Sequence, residues 1–222
     1  FWDVMLARPT DRGIVNMVNQ ASMIFLAAVA AAIGFRMNLF NIGVEGQYRI
    51  ASCAAAVFAG ASFVSGWLNV VFTLVVAMAV GAVWALIPAL LRVTRGVSEV
   101  ISTIMLNAIA AFLVSYLVLN HGIKVGESRR TEPLADDSRI GGWQPFTAAD
   151  GQIWSLAILA VLVGVGYWLV INRTRFGFEL RATGASESAA VAAGVNVRKM
   201  IVVSMVLSGA VAGLIWMPSF FA

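Results

Sequence analysis

An all-α, polytopic integral membrane protein with about six transmembrane helices is predicted by three features of the sequence. Of its 222 residues, 60% are hydrophobic and 12% charged, about half the charged share of a soluble domain, so a water-facing surface cannot be built from it. The charges are clustered, and residues 14–35, 67–91, 100–119 and 153–171 contain no Asp, Glu, Lys or Arg. Each stretch approaches or exceeds the roughly 20 apolar residues that cross a bilayer. They are apolar all round rather than on one face, which excludes a soluble helical bundle.

The first span covers about residues 14–35, with Asn16, Asn19 and Gln20 in its opening turns. A polar break follows from Asn38 to Arg49, then a second apolar stretch from residue 50 to about 67. The third span, 67–91, follows with almost no loop, which predicts a tight hairpin; Arg92-Val93-Thr94-Arg95-Gly96 closes it. The fourth covers about 99–120, the fifth 153–171, and the sixth starts near Ile201 and runs to Ala222.

Two loops are long. Residues 120–152 hold four basic and five acidic side chains with Pro133, Pro145 and Gly141-Gly142, which predicts a solvated extracytoplasmic loop with little regular structure. The second, 172–200, is expected to be a cytoplasmic coupling loop; five basic and two acidic residues lie in 172–199, and its middle is rich in alanine. With Arg92 and Arg95 also inside, this topology places nine Lys and Arg in the cytoplasm and six outside, the expected direction of the positive-inside bias. The same bias accounts for the net charge of +4 without a nucleic-acid partner. Residues 1–13 then lie outside. Since the chain begins Phe1-Trp2-Asp3 with no initiator Met, a further span is expected before them.

The break at 38–49 is the most informative local feature. Asn41, Gly43, Glu45, Gly46 and Gln47 separate two apolar segments, and the second has only about fifteen strictly apolar residues before Ser65-Gly66, short for a membrane helix. One reading is a discontinuous helix whose freed backbone groups line a wet cavity, with Asn41, Glu45 and Gln47 facing a solute path. The other is a cytoplasmic turn with Arg36 and Arg49 at the headgroups. At the start of the fourth span, Ser98 and Glu99 suit a helix cap and its positive end. Ser102, Thr103 and Asn107 carry hydrogen-bonding groups where lipid offers none, so they bond a neighbouring helix or touch the solute.

In the second loop Ser186 caps a predicted short helix through Ala193, and Gly194 stops it. Its alanine surface is suited to docking on a cytosolic partner; a helix lying on lipid would carry a basic face and bulky apolar anchors. Gly209 and Gly213 form a small-xxx-small pair suited to close helix contact. Cys53 is the single cysteine, which excludes an internal disulfide and a cysteine-based metal site. His121 is the single histidine, and no constellation for hydrolytic or metal chemistry is present.

Four motifs, in order, resemble the permease subunits of bacterial ABC importers of the ribose and branched-chain amino-acid type, and most closely the nucleoside-uptake branch. They are Phe40-Asn41-Ile42-Gly43-Val44-Glu45-Gly46-Gln47; Glu99-Val100-Ile101 with Met105-Leu106-Asn107; Arg181-Ala182-Thr183-Gly184-Ala185 through Ala193-Gly194-Val195-Asn196-Val197; and Leu207-Ser208-Gly209-Ala210-Val211-Ala212-Gly213-Leu214. The similarity extends over residues 14–217. It implies a non-enzymatic permease in a bacterial plasma (inner) membrane that works in pairs with an identical or homologous second permease. It also implies a cytosolic ATPase that carries ATP and Mg, and an extracytoplasmic binding protein or lipoprotein that delivers solute.

Under that resemblance Gly184, Ala185, Ser186, Glu187, Ala189, Ala190 and Gly194 belong to the coupling helix, and Asn41, Glu45, Gln47, Glu99 and Asn107 to the solute path. Family permeases are longer, so the single permease domain is expected to be incomplete at both ends. The sequence contains no Gly-x-x-x-x-Gly-Lys-Ser/Thr phosphate loop, so ATP energy must come from another chain. The scarcity of charge within the spans favours a small neutral polar solute over an ion. A nucleoside is expected, with a simple sugar as the alternative and an ion-coupled secondary transporter as the more distant rival.

Overall fold

The computed structural model describes residues 9–61, 63–125, 128–145 and 151–222. Among the described residues nine helices follow one another along the chain. α1 is Asp11–Phe35, α2 Val44–Gly60, α3 Trp67–Arg95, α4 Glu99–His121 and α5 Ile158–Arg173. α6 is Arg175–Ala185, α7 Glu187–Ala192, α8 Val197–Gly213 and α9 Met217–Phe220. Among the described residues, five segments are long and apolar enough to cross a membrane: α1, α3, α4, Ser155–Arg173 and Val197–Phe220. α2 is the sixth transmembrane element expected from sequence, and its 17 residues extend about 25 Å, short of the roughly 30 Å hydrocarbon layer.

The boundaries of α2 differ from the hydropathy reading. It starts at Val44 rather than near residue 50, because its polar residues find partners locally: Arg49 bonds Glu45 one turn back, and Gln47 bonds Asn41. Polarity therefore does not end the helix. Starting earlier, α2 also stops earlier, and six residues, 61–66, separate it from α3 where a tight hairpin with almost no loop was expected. Gly66, at φ +64°, enters α3 through a backbone conformation open to glycine. α8 likewise begins four residues before the expected start, because the Asn196 side chain accepts from the Lys199 N–H and caps it. A turn over residues 214–216 interrupts this last span before α9.

α8 is the hub. Where it crosses α3, Gly209 faces the Gly81 carbonyl and the Ala85 methyl, and Gly213 faces the Ala77 carbonyl, with no room for a side chain at either glycine. The expected small-residue contact is thus made, and its partner is the Ala77, Gly81, Ala85 stripe of α3. One end of the bundle gathers the C-terminal ends of α1, α3 and α5 with the start of α8, through Met37, Leu39, Ala89, Ile171, Leu180 and Met200.

The opposite end carries the 120–152 segment, which is more ordered than expected. A hairpin pairs Ile123–Val125 with Ser128–Arg130, a 3-10 turn covers Asp136–Ser138, and Trp143 and Ile153 exchange backbone hydrogen bonds. Residues 126–127 and 146–150 lie outside the described residues, as do residues 1–8 from the segment expected on the outer side. Buried polar groups hold this end together. The Asn19 amide donates to the Gln152 carbonyl and accepts from the Trp154 N–H, and Asn69 donates to the Ala59 carbonyl and Ser138 Oγ. These long-range bonds fix a loop that composition alone reads as irregular.

Candidate functional site

The polar break lies beside the middle of two spans. Its Asn41 side chain donates to Ser208 Oγ at 2.7 Å, and Ser208 donates to the Ala30 carbonyl at 2.6 Å. Ser208 is eleven residues into α8, about 16 Å from its start at 1.5 Å per residue. On the other side Asn107, about 12 Å along α4, accepts from the Gly46 N–H at 2.8 Å and donates to the Ile42 carbonyl at 2.9 Å. The irregular stretch before α2 is therefore packed among helices from Asn41 to Gly46, while its start at Met37–Leu39 turns the chain at the bundle end that holds the 172–200 loop.

Why the backbone accepts this is visible atom by atom. The first N–H groups of a helix have no partner within it. Here Asn107 Oδ1 takes that of Gly46, and Asn41 Oδ1 takes that of Gly43 at 3.1 Å. Gln47 and Asn41 then exchange side-chain hydrogen bonds at 3.0 and 3.1 Å, both almost fully buried. A Cβ at Gly46 would come within 2.7 Å of Asn107 Oδ1, and one at Gly43 within 3.0 Å of the Thr103 Cβ. Both glycines allow α4 to approach the start of α2 closely.

The five residues selected for the solute path thus fall into three settings. Asn41, Gln47 and Asn107 meet at the break, engaged with one another's helices. Glu45, next to Gly46, points outward and is paired with Arg49 at 2.8 Å, the two side chains 55% and 44% exposed. Glu99 is elsewhere, in the first turn of α4, buried and 3.5 Å from the Arg92 guanidinium. That pair spans the short α3–α4 link, where Gly96 closes α3 in the left-handed region at φ +66°.

Beyond Glu45, the face of α2 bordering a cavity continues through half-buried Tyr48, exposed Arg49, half-buried Ser52 and buried Ala56. Sequence reading missed Tyr48 and Ser52 and assigned Arg49 only to a headgroup. The four-residue spacing of Glu45 and Arg49 on one helix was the available signal.

The predicted small helix in the second loop is present as α7. Ser186 Oγ accepts from the Ala189 N–H, and Gly194 turns the chain at φ +80°. Ala190 faces inward and is buried, whereas Ala185, Glu187, Ala189, Val191 and Gly194 are exposed. The preceding helix, α6, was not foreseen, although Thr174, whose side chain accepts from the Gly177 N–H, is its sequence-visible cap. Gly184, at the end of α6, sits directly on the Arg36 carbonyl and Met37 Cα. Its own carbonyl accepts from the side chain of Asn38, a non-glycine residue at φ +56°. The 172–200 loop and the break are therefore in contact.

A bundle of helices long and apolar enough to cross a membrane, with a polar break packed between them and a small exposed helix at one end, defines a polytopic membrane protein. A family profile described as the branched-chain amino acid transport system / permease component matches residues 13–215. The chain belongs to that permease family. It is 37% identical over 205 residues to the guanosine ABC transporter permease protein NupP of Bacillus subtilis, covering 89% of this chain and 56% of that protein. Identity to the nucleoside ABC transporter permease protein NupB of Lactococcus lactis is 29% over 210 residues, 91% and 57% of the two chains. The ribose import permease protein RbsC of Escherichia coli is more distant, at 22% over 208 residues, 92% and 60%. The chain spans little more than half the length of these relatives. No solved structure matches it.

Proposed function

We propose that this chain is the pore-forming part of the permease subunit of an ATP-binding-cassette importer, and that its solute is a nucleoside. One observation carries the idea of a path: the Glu45–Arg49 pair is exposed at the level where Asn107 holds the start of α2. A charged side chain facing hydrocarbon at that depth costs about 2.5–3.5 kcal/mol or more. The pair therefore faces water or another polar subunit, and the exposed face of α2 is the wall of the pathway. Asn41, Gln47 and Asn107 shape that wall by fixing the break, Glu45 lines it, and Glu99 with Arg92 closes the α3–α4 end.

In this reading residues 172–200 are the cytoplasmic coupling loop and 120–152 the extracytoplasmic one. α7 docks on a cytosolic ATPase, which carries ATP and Mg, through Ala189 and Val191, while Ala190 and Gly194 set its shape. Gly184 and Ala185, capped onward by Ser186 and Glu187, join α7 to the break. ATP-driven movement of α7 then reaches α2 through the Gly184 contact with Arg36 and Asn38. A second permease completes the pore, and an extracytoplasmic binding protein loads it. The chain itself performs no chemistry and holds no cofactor. The relatives named for guanosine and nucleosides support a nucleoside over a simple sugar as solute.

The test is uptake of labelled guanosine by cells carrying the full-length permease with its ATPase and binding protein. Uptake that stops on ATP depletion and survives collapse of ion gradients is expected. Gradient-driven uptake without ATP refutes the importer reading, and accumulation of ribose but not guanosine refutes the nucleoside. Labelling of a cysteine at position 189 from outside intact cells would refute the topology.

A further inference from the structure

Two serines lie four residues apart on the side of α8 that meets the break. Ser204 Oγ is 3.6 Å from Met37 Sδ. Ser208, one turn further along, accepts from Asn41 at 2.7 Å and donates to the Ala30 carbonyl at 2.6 Å. Both are fully buried. A serine in a membrane helix usually satisfies its hydroxyl on a carbonyl three or four residues back, as Ser204 does on Ile201 and Ser115 on Ala111. Ser208 instead donates to α1 and accepts from the break, so one hydroxyl ties three elements together.

The Asn41 amide is used up by the protein itself. A side-chain amide has two donor hydrogens and two acceptor lone pairs. Oδ1 accepts from the Gly43 N–H and Gln47 Nε2, and Nδ2 donates to Gln47 Oε1 and Ser208 Oγ. Asn41 is therefore a fastening between helices, with no hydrogen bond left for a solute.

Through α8 this fastening is connected to α7. The corner between the two helices is closed by hydrogen bonds: the N–H groups of Ala193, Gly194 and Val195 bond the α7 carbonyls of Ala189, Val191 and Ala190, and the Asn196 side chain accepts from the Lys199 N–H to start α8. From Val197 to Ser208 α8 is unbroken, a rod of about 16 Å. The other corner is built the same way. Ser186 donates its N–H to the Ala182 carbonyl of α6 and caps α7 with its side chain, and Gly184 in the last turn of α6 holds Asn38. The break is thus gripped at Asn38 by the helix before α7 and at Asn41 by the helix after it.

Resting on the importer reading above, we infer that Ser208 is a positioning residue of the transport cycle, fastening Asn41 to α8 so that a displacement of α7 reaches the start of α2 along α8 as well as through Gly184. Without that hydroxyl α8 moves past the break and one of its two grips is lost.

The test uses the full-length permease with its ATPase and binding protein in proteoliposomes, and reads guanosine taken up per ATP hydrolysed. Ser208→Ala is expected to lower that ratio about fivefold, within the range by which residues between coupled sites alter coupling. Thr73→Val is the control for a purely structural effect: it also removes a fully buried hydroxyl, bonded to Asn69 near the opposite end of the bundle, and should keep the wild-type ratio. A double-mutant cycle locates the effect at the Asn41 bond. Asn41→Ala combined with Ser208→Ala should be no worse than Asn41→Ala alone, and losses that multiply overturn the inference. An unchanged ratio in Ser208→Ala, or an equal fall in Thr73→Val, overturns it as well. Where Ser208→Ala does not assemble, Ser208→Cys, whose thiol is only a weak donor and acceptor, should lower the ratio about threefold, and a wild-type ratio there is the refuting result. Wild-type uptake that does not depend on ATP refutes the importer reading and this inference with it; ATP-dependent uptake whose ratio Ser208→Ala leaves untouched removes the role of Ser208 alone.

Discussion

Replacing Asn107 with leucine separates a residue that holds the break from one that touches solute. Leucine has a similar size, so the substitution removes hydrogen bonding with little change in volume. Two backbone groups lose their partner: the Gly46 N–H, 2.8 Å from Asn107 Oδ1, and the Ile42 carbonyl, 2.9 Å from its Nδ2. An orphaned buried group costs about 1–3 kcal/mol, while side-chain bonds between membrane helices average only about 0.6 kcal/mol. The lower half of the first range is therefore appropriate, and since the bond to the Ile42 carbonyl is exposed while Gly46 is buried, only the Gly46 N–H is counted, for about 1–2 kcal/mol. At about 2–4 °C per kcal/mol for a chain of this size, Asn107→Leu should lower Tm by about 2–8 °C. The assay is thermal unfolding of the purified permease in detergent, followed by tryptophan fluorescence. Ala108→Leu, one position along on the exposed side of α4, is the control and should move Tm by about 1 °C or less. A wild-type Tm in Asn107→Leu, combined with lost guanosine uptake, would refute the bracing role and make Asn107 a solute contact.

Gly209→Val drives a branched side chain into the Gly81 carbonyl and the Ala85 methyl, and should destabilise the bundle by about 3 kcal/mol, read as loss of monodisperse protein on size exclusion. Ala189→Asp with Val191→Asp alters only exposed positions of α7. Membrane insertion should be unchanged by immunoblot, and solute-stimulated ATP hydrolysis in the assembled complex should vanish; retained stimulation would mean that α7 is not the docking element. Gly184→Val places a side chain against the Arg36 carbonyl, and Asn38→Ala removes the 3.3 Å bond to the Gly184 carbonyl. Both should reduce uptake per ATP hydrolysed, measured in proteoliposomes, and an unchanged ratio would mean that the signal from α7 reaches α2 by another route.

The sequence alone determined the membrane class, because hydrocarbon admits only long stretches free of charge, and a run of apolar residues is a local property. It determined the α7 turn for a similar reason: Ser186 and Gly194 act on backbone within a few residues of themselves. It also determined that Gly209 and Gly213 would meet a helix, though not which one, since Gly81 lies more than a hundred residues away. The tertiary structure decided the rest. That the polar break is packed among helices rather than free beyond them depended on Asn41 reaching Ser208 and on Asn107 reaching Gly46 and Ile42. The same bonds decided that α2 begins at Val44, because hydropathy counts Glu45, Gln47 and Arg49 as interruptions when each has a partner one or two turns away. Only the packed helices could set the Tyr48 and Ser52 face of α2 beside Trp216 in one cavity, because a cavity in a bundle is assembled from faces of distant helices rather than from neighbours in the chain.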